Sequence, residues 1–221
     1  MSGSARSRPP RAKAHADHAK ERAAAQTRHP DFEALAKSWN RKAPEDTRGV
    51  PGLESGFRAK VTAFIKAMEA AGLKVHIVGA ARTRERAYLM RCAYLIYDGK
   101  YDVVVSELAQ KPGAIDIDWE EIRESAGDEQ GFKDFAVLLA GRLGIGLDLS
   151  KAPSLHSNHI KGLAVDMVID GWKGATVEVA DVNGNKIPTK GVEDLGKVGD
   201  TYDVHHFPTS GEPYHWSVDS H

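Results

Sequence analysis

The sequence is short of cysteine, of long apolar runs and of any excess of one charge. Its 221 residues include one cysteine, Cys92, which excludes an internal disulfide. Lys and Arg number 30 against 31 Asp and Glu, so nothing in the net charge points to a nucleic-acid partner. No apolar run approaches the length of a membrane-spanning helix. We therefore expect a chain that buries its own core and acts as a monomer.

An apolar segment of the kind found in signal peptides is also lacking after the basic N-terminus, so a conventional signal peptide is not expected. We interpret residues 1–30 as a basic, partly disordered arm. Residues 13–28 are rich in helix formers but have no clear apolar stripe. A solvated helix is one interpretation, and weak contact with anionic envelope lipids is the other. The basic residues of this arm are Arg6, Arg8, Arg11, Lys13, Lys20, Arg22 and Arg28.

The remaining residues, 31–221, are predicted to form one domain. Apolar residues recur at helical spacing over 57–68, 84–97 and 132–143. Alternating segments at 74–78, 165–169 and 176–180 predict strands, and Asn183-Gly184 predicts a hairpin turn. We expect an α+β fold in which helices pack on a small, mainly antiparallel sheet. Calcium is an alternative role for the acidic residues at 116–121 and 181–185, but a helix start and the hairpin are favoured there.

Two short stretches carry the chemistry. The first runs from Ser157 to Asp166 and includes His159, and the second is Glu212-Pro213-Tyr214-His215-Trp216. Together they offer two imidazoles and two carboxylates. Two neutral nitrogens and one oxygen suit a catalytic zinc ion, with the spare carboxylate as a general base. Since His159 and Asp166 are seven residues apart, the chain has to bend between them, and Gly162 permits the bend.

The pattern Ser-x-His-x-x-Gly-x-Ala-x-Asp followed by Glu-x-x-His-Trp resembles the zinc D,D-/L,D-peptidase family of peptidoglycan enzymes. That family includes D-Ala-D-Ala carboxypeptidases and the L-alanyl-D-glutamate endopeptidases of phage endolysins, and hedgehog N-terminal domains share its fold. The resemblance implies that His159, Asp166 and His215 bind zinc and that Glu212 is the general base. It also implies that the substrate is a stem peptide of peptidoglycan.

Four further residues are candidates for substrate contacts. Arg82 follows a predicted strand in Gly79-Ala80-Ala81-Arg82-Thr83, which resembles a Gly-aromatic-Arg-Ser/Thr segment of the family, although Ala81 replaces the aromatic residue. Carried over, Arg82 would hold the scissile carbonyl oxygen or a substrate carboxylate. His156 is a rival ligand that we interpret as facing the substrate. Ser157 and His206 are the other predicted contacts, and His205 beside His206 is an alternative to it.

The resemblance implies a zinc metallopeptidase that cleaves a bond involving a D-amino acid, with L-alanyl-D-glutamate endopeptidase as our first expectation and D-Ala-D-Ala carboxypeptidase as the second. Synthesis without a signal peptide would place the protein in a host cytoplasm until phage lysis or virion delivery brings it to the cell wall. Two alternatives stay open. One is a catalytically silent module that binds the wall or belongs to a virion, and the other is a zinc hydrolase with a different substrate.

Overall fold

The computed structural model describes residues 11–108, 111, 113–147, 152–206 and 214–219, with side chains from residue 19 onward except that of Glu107. The fold is α+β, about half helical, with a small antiparallel sheet, and this confirms the fold class at that level. Within the described residues, no helix is both long enough and apolar enough to cross a membrane. The chain divides into two compact units, residues 1–45 with 83–155 and residues 46–82 with 156–221. The predicted boundary at residue 30 stays a prediction.

The first unit is helical in its described parts. Its central helix, α7, combines an apolar face with Asp128 as its N-cap, whose carboxylate accepts from the Gly131 amide, and ends at Gly144 in the left-handed conformation. The helices are α1 (Arg11–Arg28), α2 (Pro30–Lys42), α4 (Arg84–Tyr97), α5 (Tyr101–Val103) continued by a π-helical turn (Val104–Leu108), α6 (Trp119–Ala126) and α7 (Glu129–Leu143). The label α3 belongs to a helix of the second unit, Ser55–Ala70.

The N-terminal helix α1 packs onto this unit, which the absence of an apolar stripe did not predict. Its Ala25 is fully buried in the helical core. The Arg28 guanidinium donates two hydrogen bonds to Asp134 on α7, at 2.6 and 2.7 Å. A buried small residue and a fork-shaped ion pair, both close to the C-terminal end of the helix, are therefore among the contacts that anchor it.

The second unit holds the sheet. Its helices are α3, α8 (Asn158–Lys161) and α9 (Val192–Thr201), and a 3₁₀ turn spans Val50–Gly52. The strands are β1 (Lys74–Gly79), β2 (Ala164–Asp170), β3 (Val177–Ala180), β4 (Lys186–Thr189), β5 (His205–His206) and β6 (His215–Ser217). The main sheet has the order β1-β2-β6-β5 and all its pairs are antiparallel. The predicted hairpin is confirmed as the pair β3-β4.

One face of the main sheet is covered and the other carries the polar residues. Val165, Met167 and Ile169 alternate along β2 and lie in a core with α3. Trp216 of β6 is fully buried in the same core, where its ring lies 5.2 Å from that of Phe64. Asp166, between these apolar residues in sequence, therefore projects from the opposite face. The alternation decides which residues of each strand can meet at a site.

The two acidic stretches considered for calcium bond to backbone amides instead. Asp118 is the N-cap of α6 and accepts from the amide of Glu121 at 2.9 Å. Asp181 accepts from the amides of Asn183 and Asn185 in the turn between β3 and β4. The helix start and the hairpin are thus confirmed.

Candidate metal centre

His159 is presented by the four-residue helix α8. Ser157 precedes this helix, and its hydroxyl accepts a hydrogen bond from the His159 amide at 3.3 Å. Gly162 ends it with φ of 69°, which confirms the predicted bend. A side chain at Gly162 would also meet the backbone nitrogen of Glu54, since a Cβ there would lie 2.8 Å from it. The glycine is therefore required both for the backbone turn and for the close approach of a neighbouring segment.

Asp166 and His215 are brought together by strand pairing. They stand directly opposite each other in the antiparallel pair β2-β6, so their side chains project from the same face. On the other side of β2, Gly79 at the end of β1 is the partner of Asp166, after a register shift between Ile77 and Gly79. Two strands and one short helix thus place three side chains at one point.

The three predicted ligands form one cluster. His159 Nε2 lies 3.2 Å from His215 Nδ1 and 3.4 Å from Asp166 Oδ1, and His215 Nδ1 lies 3.1 Å from the same oxygen. Both histidines are buried, while the Asp166 side chain is 28% exposed. Among the described residues, this is the group of His, Cys, Asp and Glu side chains whose geometry suits a metal ion. Within the described part of the chain, the partial exposure of Asp166 leaves one side of the cluster open.

The tautomer of His159 is assigned by its second nitrogen. His159 Nδ1 lies 2.6 Å from the carbonyl oxygen of Ala80, which can only accept, so Nδ1 carries the proton. When the ring is neutral, Nε2 presents a lone pair to the other two ligand atoms, and when the ring is protonated, Nε2 donates to Asp166. Nitrogen and oxygen atoms that converge in this way in a buried position need either a shared proton or a metal ion between them. The Ala80 carbonyl thus orients His159 as histidine ligands of metals are oriented.

Asp166 is held in its ionised form. Burial tends to raise its pKa, but contacts with the imidazoles of His159 and His215, and their charges, outweigh burial and hold the pKa well below its usual range. A carboxylate that stays deprotonated remains available as a ligand under mildly acidic conditions.

The spacing fits a first-row divalent metal. Ligand atoms about 2.0–2.1 Å from a tetrahedral zinc ion lie about 3.3–3.4 Å apart. The observed separations of 3.1, 3.2 and 3.4 Å are close to this value. Two imidazoles exclude a calcium or magnesium preference, because those ions take oxygen ligands. The cluster can therefore hold a metal ion through three protein ligands.

The guanidinium of Arg82 is paired with a carboxylate that the sequence did not single out. Its Nε and Nη2 atoms donate to Asp46 at 2.7 to 3.1 Å, and both side chains are largely buried. The Arg82 amide donates to the carbonyl oxygen of His159 at 3.0 Å, so this arginine is bonded to the backbone of a predicted ligand. Glu212, the predicted base, lies outside the described residues. The catalytic roles of Arg82 and Glu212 stay predictions.

The structure separates the other three candidates. Ser157 contacts the backbone at His159, as described above, and His156 is exposed and is not a member of the three-residue cluster. His206 is the strand partner of Trp216 and its ring lies 4.7 Å from the indole. It therefore projects from the covered face of the sheet, opposite to His215. The geometry does not bring His206 to the cluster, and the substrate contacts of all three residues stay predictions.

His205, the neighbour of His206, does lie on the face of the metal cluster. It pairs with Ser217, which is two residues from His215 on the same strand. Its Nδ1 lies 2.7 Å from a carboxylate oxygen of Asp200. Strand alternation places His206 on the same face as Trp216 and His205 on the opposite face. This distinction needs the register of β5 on β6, which the sequence alone does not give. Asp46 offered no signal, because it is 36 residues from Arg82 in the chain.

No family model, curated protein or solved structure matches this chain. The resemblance to the peptidoglycan peptidases therefore depends on the residues of the two motifs. The structure adds that three of those residues, His159, Asp166 and His215, lie within contact distance of one another.

Proposed function

We propose that the protein is a zinc metallopeptidase that hydrolyses a bond in the stem peptides of peptidoglycan, on the hedgehog-like fold of the family it resembles. The observation that carries the proposal is the convergence of His159 Nε2, Asp166 Oδ1 and His215 Nδ1 within 3.4 Å of one another. These are the residues to which the motif resemblance assigns zinc. Two buried imidazole nitrogens that meet one carboxylate oxygen match the donor set of a catalytic zinc site.

Zinc is the metal that we propose on the basis of the donor set. A site with three protein ligands and an open side is typical of catalytic zinc, whereas structural zinc sites are closed by four. Two histidines and one carboxylate also occur in non-haem iron sites. The metal content of the purified protein distinguishes zinc from iron at this donor set.

Zinc bound by these residues would supply Lewis acidity toward a carbonyl oxygen and acidify water near neutral pH. The protein's own part is to position and to move protons. Ala80 fixes the ring of His159, and the imidazole contacts keep Asp166 ionised. Glu212 accepts the proton of the attacking water and delivers it to the leaving amine. Arg82, held by Asp46, binds an oxygen-bearing group of the substrate.

The substrate class comes from the two motifs. L-alanyl-D-glutamate endopeptidase is our first assignment and D-Ala-D-Ala carboxypeptidase the second. Synthesis in a host cytoplasm, followed by release to the cell wall during phage lysis or by delivery with a virion, is the setting that we propose.

A digest of purified peptidoglycan tests the proposal. Wild-type protein, the Glu212→Ala variant and chelator-treated protein are incubated in parallel, and the released fragments are identified by mass spectrometry. New amino termini produced by the wild type alone would support the proposal and would identify the bond. Fragments from all three samples would refute the metal and base assignments. No fragments from any sample, with zinc bound stoichiometrically, would favour a catalytically silent wall-binding module.

A further inference from the structure

The Asp46 carboxylate accepts hydrogen bonds from one edge of the Arg82 guanidinium. Arg82 Nε lies 2.9 and 3.1 Å from the two carboxylate oxygens of Asp46, and Nη2 lies 2.7 Å from one of them. The two side chains are 15% and 17% exposed, so neither is a freely solvated surface group. Fork-shaped pairs of this kind fix the plane and the direction of a guanidinium, which a single point contact does not do.

The backbone on both sides of this pair is also fixed. The Thr47 amide donates to the Ala81 carbonyl at 2.9 Å, and the Ala81 amide donates to the Thr47 hydroxyl at 3.0 Å. The Arg82 amide donates to the His159 carbonyl. The segment that carries Arg82 is therefore tied on one side to residues 46 and 47 and on the other to a predicted metal ligand. All of these groups belong to the second unit.

The opposite edge of the guanidinium is left for another group. Arg82 has five N–H donors, and Asp46 engages those at Nε and one side of Nη2. In the part of the chain that the structure describes, Nη1 and the second N–H of Nη2 have no hydrogen-bond partner. These atoms form the end-on edge, which presents two parallel N–H groups. Two parallel donors match the two oxygens of a carboxylate, whereas a single carbonyl oxygen would use only one of them well.

We propose that Asp46 is a positioning residue that holds Arg82 so that its end-on edge binds a carboxylate of the peptide substrate. This inference rests on the proposed function and makes it more specific, because it selects the carboxylate over the scissile carbonyl as the partner of Arg82. Asp46 does not touch the substrate. It acts by keeping the guanidinium in one orientation, and its removal would leave Arg82 free to rotate away from the site.

The test measures binding rather than turnover. In the zinc-loaded Glu212→Ala protein, calorimetry compares a synthetic stem peptide with the same peptide whose free carboxylates are amidated. Asp46→Asn is expected to weaken binding of the carboxylate peptide at least tenfold and to leave binding of the amidated peptide nearly unchanged. In an Arg82→Ala background, Asp46→Asn is expected to cause no further loss, because the two residues act as one unit. Affinity for zinc alone should not change.

The matched control is Asp203→Asn. Asp203 forms an exposed ion pair with Lys60 in the same unit, and its φ of 52° is one that Asn tolerates. It should leave both peptide affinities unchanged. If Asp46→Asn fails to bind zinc, Asp46→Glu, which keeps the carboxylate, is measured instead and is expected to retain part of the binding.

Three results would overturn the inference. They are an equal loss for both peptides, a further loss from Asp46→Asn in the Arg82→Ala background, and no loss at all. If wild type cleaves peptidoglycan while one of these results is obtained, the role of Asp46 alone is refuted. If wild type cleaves nothing and no variant binds either peptide, the proposed function fails and the inference fails with it.

Discussion

Replacing Gly79 with alanine should weaken metal binding without touching a ligand. Gly79 is buried at the end of β1, opposite Asp166 in the sheet. A Cβ atom at this position would lie 3.0 Å from Asp166 Oδ2, and 3.8 Å from the Cβ and Cγ of the same side chain. The added methyl group therefore presses on the ligand carboxylate.

The size of the effect follows from the space available. Ordinary contact of a Cβ begins near 3.4 Å, so the carboxylate has to move by about 0.4 Å. Metal sites hold their ligand distances to within about 0.2 Å. A displaced ligand or a lost supporting contact costs about 10-fold to 100-fold in metal affinity. We expect Gly79→Ala to raise the Kd for zinc about tenfold, which corresponds to about 1.4 kcal/mol.

Competition with a fluorescent zinc chelator at pH 7 measures this change. Gly191→Ala is the control, because a Cβ at Gly191 meets nothing within 4 Å and the backbone there is extended. The control should bind zinc as the wild type does. An unchanged Kd for Gly79→Ala would show that Asp166 does not lie where the structure places it, or that it is not a ligand.

Three further predictions concern both units. Hydrogen bonds from backbone amides at the start of α3 lower the pKa of Glu54 to about 2. The stabilising contribution of Glu54 is therefore present above about pH 4.5 and is lost as the pH falls toward 2. The urea midpoint of unfolding should drop more steeply with acid in the wild type than in Glu54→Gln. His205→Ala should reduce peptidoglycan hydrolysis in the fragment assay and leave the thermal stability unchanged. His206→Ala should instead lower the unfolding free energy by about 1 kcal/mol, because its contact with Trp216 is lost. Equal behaviour of the two variants would contradict the assignment of His205 and His206 to opposite faces of the sheet. The buried Arg86 donates to the carbonyl oxygens of Ala43 and Leu143, so Arg86→Leu should destabilise the helical unit by about 3 kcal/mol in urea unfolding, and a loss below about 1 kcal/mol would refute a structural role.

The grouping of His159, Asp166 and His215 was predicted from the motif resemblance, and the turn between the first two is the part of it that is local in sequence. His159 and Asp166 are seven residues apart with a glycine between them, and only a tight turn brings both to one ion. The chain forms that turn with α8 and Gly162. Helical periodicity likewise located α4 at its observed bounds, because Tyr88, Leu89, Cys92, Leu95 and Ile96 recur at helical spacing. His215 belongs to the second motif, on β6. The register of β6 on β2, which places His215 opposite Asp166, could not be calculated from the sequence alone.

Features that depend on distant contacts were not predictable in this way. The partner of Arg82 is Asp46, and the partner of Arg28 is Asp134, 106 residues away in the chain. Neither pair leaves a periodic signal, since a charged residue near a loop or a helix end looks the same whether it is solvated or paired. The face of His206 depended on a two-residue strand pairing with β6. The division into two units depends on which helices pack together, and amino-acid composition does not predict that packing.

The most direct test of the account is the metal content and coordination of the purified protein. Wild type, His159→Ala, Asp166→Ala and His215→Ala are loaded with zinc, dialysed and analysed by mass spectrometry for metals, and the wild type is then examined by X-ray absorption. We predict one equivalent of zinc in the wild type, bound by two imidazole nitrogens and a carboxylate oxygen at about 2.0–2.1 Å, and little zinc in each variant. One full equivalent in all three variants, or a wild type that binds none, would contradict the central claim.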